Sequence, residues 1–168
     1  RKKILDENNI LCEVVPSNID EDQVKDSLLL EGASPLIISK NLAEMKSNKV
    51  SLKYPDKLVV GADSVISLSN ELVNKPSSRK EALKSLKKLN GSLHYLISSA
   101  CISKNGSMIW NYSEKSELTM KNLSDQELTN YLSKIKTETL LAYGVYQIEA
   151  EGKSLFKKIK GNKDSIMG

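Results

Sequence analysis

The chain has 168 residues, with 25 Lys+Arg against 21 Asp+Glu for a net charge of +4, 39% hydrophobic and 27% charged residues. That composition belongs to folded globular proteins rather than disordered ones, and area scaling lets roughly 70% of the open chain's surface be buried, enough for a core without staples. No apolar run approaches the roughly 18 residues of a membrane helix and no signal-peptide pattern is visible; two cysteines are too few for a disulfide framework, and one histidine cannot build a multi-histidine zinc site.

In chain order, 2–8 reads as a short helix and Ile10–Val15 as an apolar strand, followed by an acidic turn over Asn18–Asp22. Ser34-Pro35 has the form of an N-cap and first helical residue, and Ile38, Leu42 and Met45 recur at helical spacing, which carries the helix to about Ser47. Leu58-Val59-Val60 reads as a buried strand interrupted by Gly61-Ala62-Asp63-Ser64 and resumed at Val65-Ile66. A further helix opens with Ser78 and Glu81 in capping-box spacing, buries Ala82, Leu83, Leu86 and Leu89, and stops at Asn90-Gly91. Two strands, 94–103 and 107–112, meet at Asn105-Gly106, the strongest short hairpin signal. Ser124 and Glu127 form another capping box, with Leu123 and Leu128 placed as a staple, for a helix ending near Lys134. Tyr143–Glu149 and Leu155–Ile159 read as closing strands. No repeat or linker divides the chain, so the expectation is one α/β (or α+β) domain over 1–168, with a mixed sheet flanked by helices. Both thiols, Cys12 and Cys101, are expected to be reduced, buried and cytoplasmic.

Asp63 stands out within this pattern. A carboxylate inside an apolar run, directly after glycine and alanine, is costly unless a cation pairs with it; a strand-end aspartate capping a turn is the plainer alternative. Lys75, held extended by Pro76, projects an ammonium from a loop. The lysines are interleaved with acids rather than gathered in a stripe, and aromatic residues make up 5% of the chain, so nucleic-acid binding has no motif behind it. A mild cation excess suits a small polyanion such as a nucleotide equally well. His94, at a helix exit, reads as a structural hydrogen-bonding residue, and the alternating Trp110 and Tyr112 as cover for a core or a dimer face.

Taken together, Gly61-Ala62-Asp63-Ser64-Val65-Ile66, Asn74-Lys75-Pro76 and Leu89-Asn90-Gly91-Ser92-Leu93-His94 resemble, in order and spacing, the signatures of the Maf family of nucleoside triphosphate pyrophosphatases. Val15–Glu21 is similar to that family's acidic V-D-E turn and Leu42–Lys46 to its L-A-x-x-K helix; Tyr143–Glu149 and Leu155–Gly161 extend the match over essentially the whole chain. Departures exist. Of the family's opening S-x-S-P-x-R loop only Arg1 remains, and the chain stops at Gly168 before its closing helix, so a short N-terminal strand and loop and a C-terminal helix are expected to be missing. Leu141-Ala142-Tyr143-Gly144 stands where many members have D-K-A-G, and Ser64 and Glu149 stand where common members have threonine and glutamine.

The resemblance implies a mainly antiparallel, elongated sheet with two lobes around a cleft, and hydrolysis of a nucleoside triphosphate to a monophosphate and pyrophosphate. It implies a divalent cation, magnesium or else manganese, on Glu21 and Asp63, with Asp63 as general base and Lys46 and Lys75 as catalytic phosphate clamps. Lys40 is a rival for Lys46. Arg1, Ser64 and Glu149 are the substrate-binding candidates. Glu149 replaces an amide by a pure acceptor, which favours guanine and, by charge, N7-methylguanine; the family's 7-methyl-GTP subgroup resembles this chain in a late-strand glutamate and in Tyr54-Pro55-Asp56. A cytoplasmic homodimer is also implied. The alternative reading is a nucleotide-sensing regulator of septum formation.

Overall fold

The computed structural model describes residues 2–167. Seven helices, α1 (Lys2–Glu7), α2 (Glu21–Leu30), α3 (Pro35–Ser51), α4 (Arg79–Leu89), α5 (Asp125–Ser133), α6 (Thr137–Tyr143) and α7 (Lys163–Met167), surround five strands: β1 (Val59–Leu68), β2 (Glu71–Val73), β3 (Leu93–Lys104), β4 (Ser107–Met120) and β5 (Phe156–Lys160). The strands form one sheet in the order β2-β1-β3-β4-β5, and all four ladders are antiparallel. The accessible surface of 9998 Å² exceeds the roughly 8,200 Å² expected of a compact monomer of this mass, in keeping with an elongated, clefted shape. No helix is long and apolar enough to cross a membrane among the described residues.

Several elements form where the side chains direct. The Asn105-Gly106 turn takes positive φ at both residues, 52° and 82°, as a tight hairpin requires. The Ser124–Glu127 capping box closes in both directions, and Leu123 packs on the buried cluster that holds Leu128. Ser78 caps α4, while Glu81 reaches back to the Ser77 amide and hydroxyl instead of to Ser78.

Five expectations are corrected. Ile10–Val15 is not a strand: it finds no neighbouring strand among the described residues, and Leu11 and Val14 stand exposed. The acidic stretch is a helix start rather than a turn, because the Asp20 side chain caps α2 by accepting from the Gln23 amide, and Ile19, Val24 and Leu28 pack against α3. The Gly61–Ser64 segment does not interrupt β1, which runs unbroken through it. Tyr143–Glu149 is the end of α6 followed by an irregular turn, since Gly144 leaves the helix at φ +93°. Cys101 is buried, but Cys12 is only half-buried; both are free thiols.

Two hydrophobic clusters lie on opposite faces of the sheet. Alternation along β1 sends Val65 to one face, with Ile38 and Leu42 of α3 and Ile97 of β3. Ile66 and Leu68 go to the other, against Leu86, Leu89, Leu118, Met120 and Leu128. Within α3, Ser39, Ala43, Ser47 and Ser51 recur every four residues as a fully buried ridge of small side chains. That ridge lets the helix sit close on the sheet: a Cβ added at Gly61 would fall 2.4 Å from the Ala43 carbonyl oxygen and 2.7 Å from the Ser47 nitrogen. The glycine of the Gly-Ala-Asp segment is therefore needed for helix–strand approach, not for a turn.

Candidate active site

That close approach determines where α3 delivers its lysine. Lys46 Nζ lies 2.6 Å from Asp63 Oδ1 and 2.7 Å from Glu21 Oε1, so one ammonium bridges two carboxylates from β1 and α2. The Asp63 side chain is 7% exposed and that of Lys46 14%, which makes this a largely desolvated, charge-assisted contact rather than a surface ion pair. The Asp63 backbone is fixed as well: it pairs with Ser99 in the β1–β3 ladder, and the buried Ser39 hydroxyl donates to its carbonyl at 3.2 Å. Lys75, in the loop after β2, reaches to 3.9 Å from Glu21 Oε2 with its head half-exposed. Of the rivals, Lys40 is exposed on the outer face of α3, and Lys46 is the lysine at the carboxylates.

Lys25 had not been expected. It is the one buried residue of α2, with its Nζ 3.9 Å from Glu21 Oε2 and 3.4 Å from Asp22 Oδ1. Once Asp20 is recognised as the cap, Lys25 falls one turn after Glu21 on the same helix face; reading the segment as a turn conceals it. Burial pushes the Glu21 carboxyl up, but its hydrogen bond to Lys46 and the charges of Lys46, Lys75 and Lys25 outweigh this and hold it below the usual carboxylate range.

These groups line a cleft of about 430 Å³ whose wall continues through Ser64, Ile66, Leu72, Asn74 and Leu96 to the 142–149 segment. Ser64 is there, its hydroxyl 2.9 Å from that of Ser98. Glu149 is there too, though exposed in the turn after α6 and not on a strand. Arg1 lies outside the described residues. Tyr54, Pro55 and Asp56 take no part in the cleft: the Asp56 amide donates to Asn105 Oδ1 beside the β3–β4 turn. Trp110 and Tyr112 stack on each other at 6.2 Å, half-exposed on β4, and belong to neither buried cluster among the described residues. His94 is fully buried, and its Nε2 meets the Tyr146 hydroxyl at 3.0 Å. Burial pushes its pKa down to about 4, so the imidazole is neutral near pH 7, as a structural histidine would be.

The profile of the Maf-like protein family matches residues 1–168. The chain belongs to that family. It is 60% identical over 168 residues to a nucleoside triphosphate pyrophosphatase of Pelagibacter ubique (strain HTCC1062), a match covering 100% of this chain and 86% of the relative. A nucleoside triphosphate pyrophosphatase of Ruegeria pomeroyi is 39% identical over 150 residues, covering 89% of this chain and 75% of the relative. A 7-methyl-GTP pyrophosphatase of Rhizobium etli is 33% identical over 168 residues, covering 100% and 84%. In this Maf-like chain a lysine-bridged carboxylate pair and an irregular turn line the same cleft.

Proposed function

We propose that this Maf-like protein hydrolyses nucleoside triphosphates between the α and β phosphates, releasing a nucleoside monophosphate and pyrophosphate, and that it prefers 7-methyl-GTP. The observation that carries the reading is the Lys46 bridge between Glu21 and Asp63, with Lys25 and Lys75 around it. Three ammoniums converge where a polyphosphate would lie, next to a buried carboxylate able to accept a proton. When phosphate oxygens arrive, Lys46 turns to them and the Asp63 carboxylate, no longer bridged by that ammonium, serves as the base. Water adds at the α phosphorus, its proton passes to Asp63, and the bond from that phosphorus to the bridging oxygen breaks, so that this oxygen leaves with the pyrophosphate.

A divalent cation belongs to this reading. Among the described residues the cleft is lined by three lysines and three carboxylates, and a triphosphate brings roughly four further negative charges that a cation would help to neutralise. No group of three or more His, Cys, Asp or Glu suited to a metal exists among the described residues. Magnesium nonetheless fits, because it is usually held by one or two carboxylates plus substrate phosphates and waters. Glu21 and Asp63 would hold it, manganese being the substitute, and it would supply charge neutralisation.

At the other end Glu149 offers only acceptors to a base, which supports a donor-rich, cationic N7-methylguanine over thymine. The reading includes a cytoplasmic homodimer, for which the exposed Met108, Ile109, Trp110 and Tyr112 side chains on β4 are the supporting surface. The test is a panel of methylated and standard nucleoside triphosphates with magnesium, followed by phosphorus NMR. Pyrophosphate is the expected product, and orthophosphate would contradict α–β cleavage. Equal turnover of dTTP and 7-methyl-GTP would remove the base preference, whereas a true preference should shrink about fivefold or more in Glu149→Gln, on the scale of one charge contact.

A further inference from the structure

The part of the cleft that faces a base has no ladder to hold it. Between α6 and the 3₁₀ turn at Glu151–Leu155, the backbone hydrogen bonds within the segment are those from Gly144 N to Leu140 O and from Ala150 N to Gln147 O. Its position against the sheet depends on side chains. Val145 and Tyr146 are adjacent and both buried, the Tyr131 hydroxyl donates to the Val145 carbonyl at 3.2 Å, and Gly152 packs under the Gln147 backbone. The remaining anchor is the contact of Tyr146 with His94 at 3.0 Å. His94 sits inside β3, paired with Leu118 of β4, and its ring lies 5.8 Å from Tyr146 and 5.7 Å from Phe156 at the start of β5. Tyr146 meets Phe156 edge-on at 4.9 Å and also lines the cleft.

A phenylalanine would fill that aromatic cluster without the desolvation cost of an imidazole. Beside a backbone interaction at Ser92, histidine aims one directed hydrogen bond, through Nε2, at the side chain that holds the turn. From this geometry we infer that His94 is a positioning residue for base selection: through Tyr146 it fixes the 144–149 turn, and with it Glu149, against the cleft. The inference rests on the pyrophosphatase reading for the word base, but its mechanical half stands independently.

The test compares His94→Phe, Tyr146→Phe, the double variant and the conservative His94→Gln in the full chain. In both single Phe variants, amide hydrogen exchange across Val145–Glu149 should quicken about tenfold, the scale of one net hydrogen bond, while amides of β1 and β3 keep their protection. The double variant should add little, because both changes break the same bond, and His94→Gln should recover part of the protection. In parallel, in His94→Phe the ratio of kcat/KM between 7-methyl-GTP and dTTP should drift toward unity while kcat for the better substrate changes little. Unchanged exchange in the turn overturns the inference. So does an equal quickening in β3, which would mean that His94 serves general core packing; if the Phe variants fail to fold, the same two exchange outcomes are read from His94→Gln. The exchange arm needs no turnover, so a wild-type protein that hydrolyses nothing would sink the pyrophosphatase reading and still leave this one decided.

Discussion

The two ends of the cleft are built by different means. At the end proposed for phosphate, four groups stand on regular elements, Asp63 within β1, Lys46 on α3, Glu21 and Lys25 on α2, held by ladder bonds and by the ridge of small residues under α3, and Lys75 alone of the named groups comes from a loop. At the base end, Glu149 stands on a turn pinned mainly by two phenols and a histidine. Chemistry shared by all substrates tolerates little displacement, so rigid elements suit it. Discrimination between bases can be revised on a segment whose change leaves the sheet untouched.

The widest expected separation between the ends is in acid. His94 titrates near 4 in the fold and near 6.5 as a free imidazole, so below 6.5 the unfolded chain takes up the proton first. Its contribution to stability is fully present above about 6.5 and is lost as pH falls toward 4, about 3 kcal/mol in all by linkage. Urea unfolding at stepped pH should show that slope in the wild type and lose it in His94→Phe. At the phosphate end, Asp63→Asn should lower turnover at least about 10²-fold, the low end for removing a general base, with the thermal transition little changed. Activity near wild type would make Asp63 structural.

Gly61→Ala probes how α3 seats. Its Cβ would meet the Ala43 carbonyl at 2.4 Å, so the helix must shift; a loss of about 2 kcal/mol from overpacking and a fall of about tenfold in kcat are expected. Stability and kcat both at wild-type levels would show that the helix yields without disturbing Lys46. The smallest effect belongs to Lys25→Met. KM for a triphosphate should rise about fivefold with kcat nearly constant, as for loss of one phosphate cation, and steady-state kinetics with an unmoved KM would assign Lys25 to Glu21 alone.

The same contrast governs what the sequence discloses. The hairpin turn, the Ser124 capping box and the α3 start depend on neighbours a few residues away, and they form as their local chemistry directs. Glu21, Lys46, Asp63 and Lys75, which only the family resemblance singles out together in the sequence, lie side by side in the fold. Gly61 and Asp63 mimic a chain break because their reasons are distant: the glycine answers to α3, and the carboxylate is tolerated through a lysine 17 residues earlier. Lys25 stays hidden because acids at a helix start look like a turn until Asp20 is seen to cap. The turn that carries Glu149 misleads most, since adjacent apolar residues at 145 and 146 imitate a strand while both in fact point inward.

β5 has a consequence of its own. Five residues at the margin of the sheet, joined to β4 alone, open more readily than the central strands. Phe156 would leave with it, Tyr146 would lose its backing, and the grip on polyphosphate would outlast the ability to ask which base is attached.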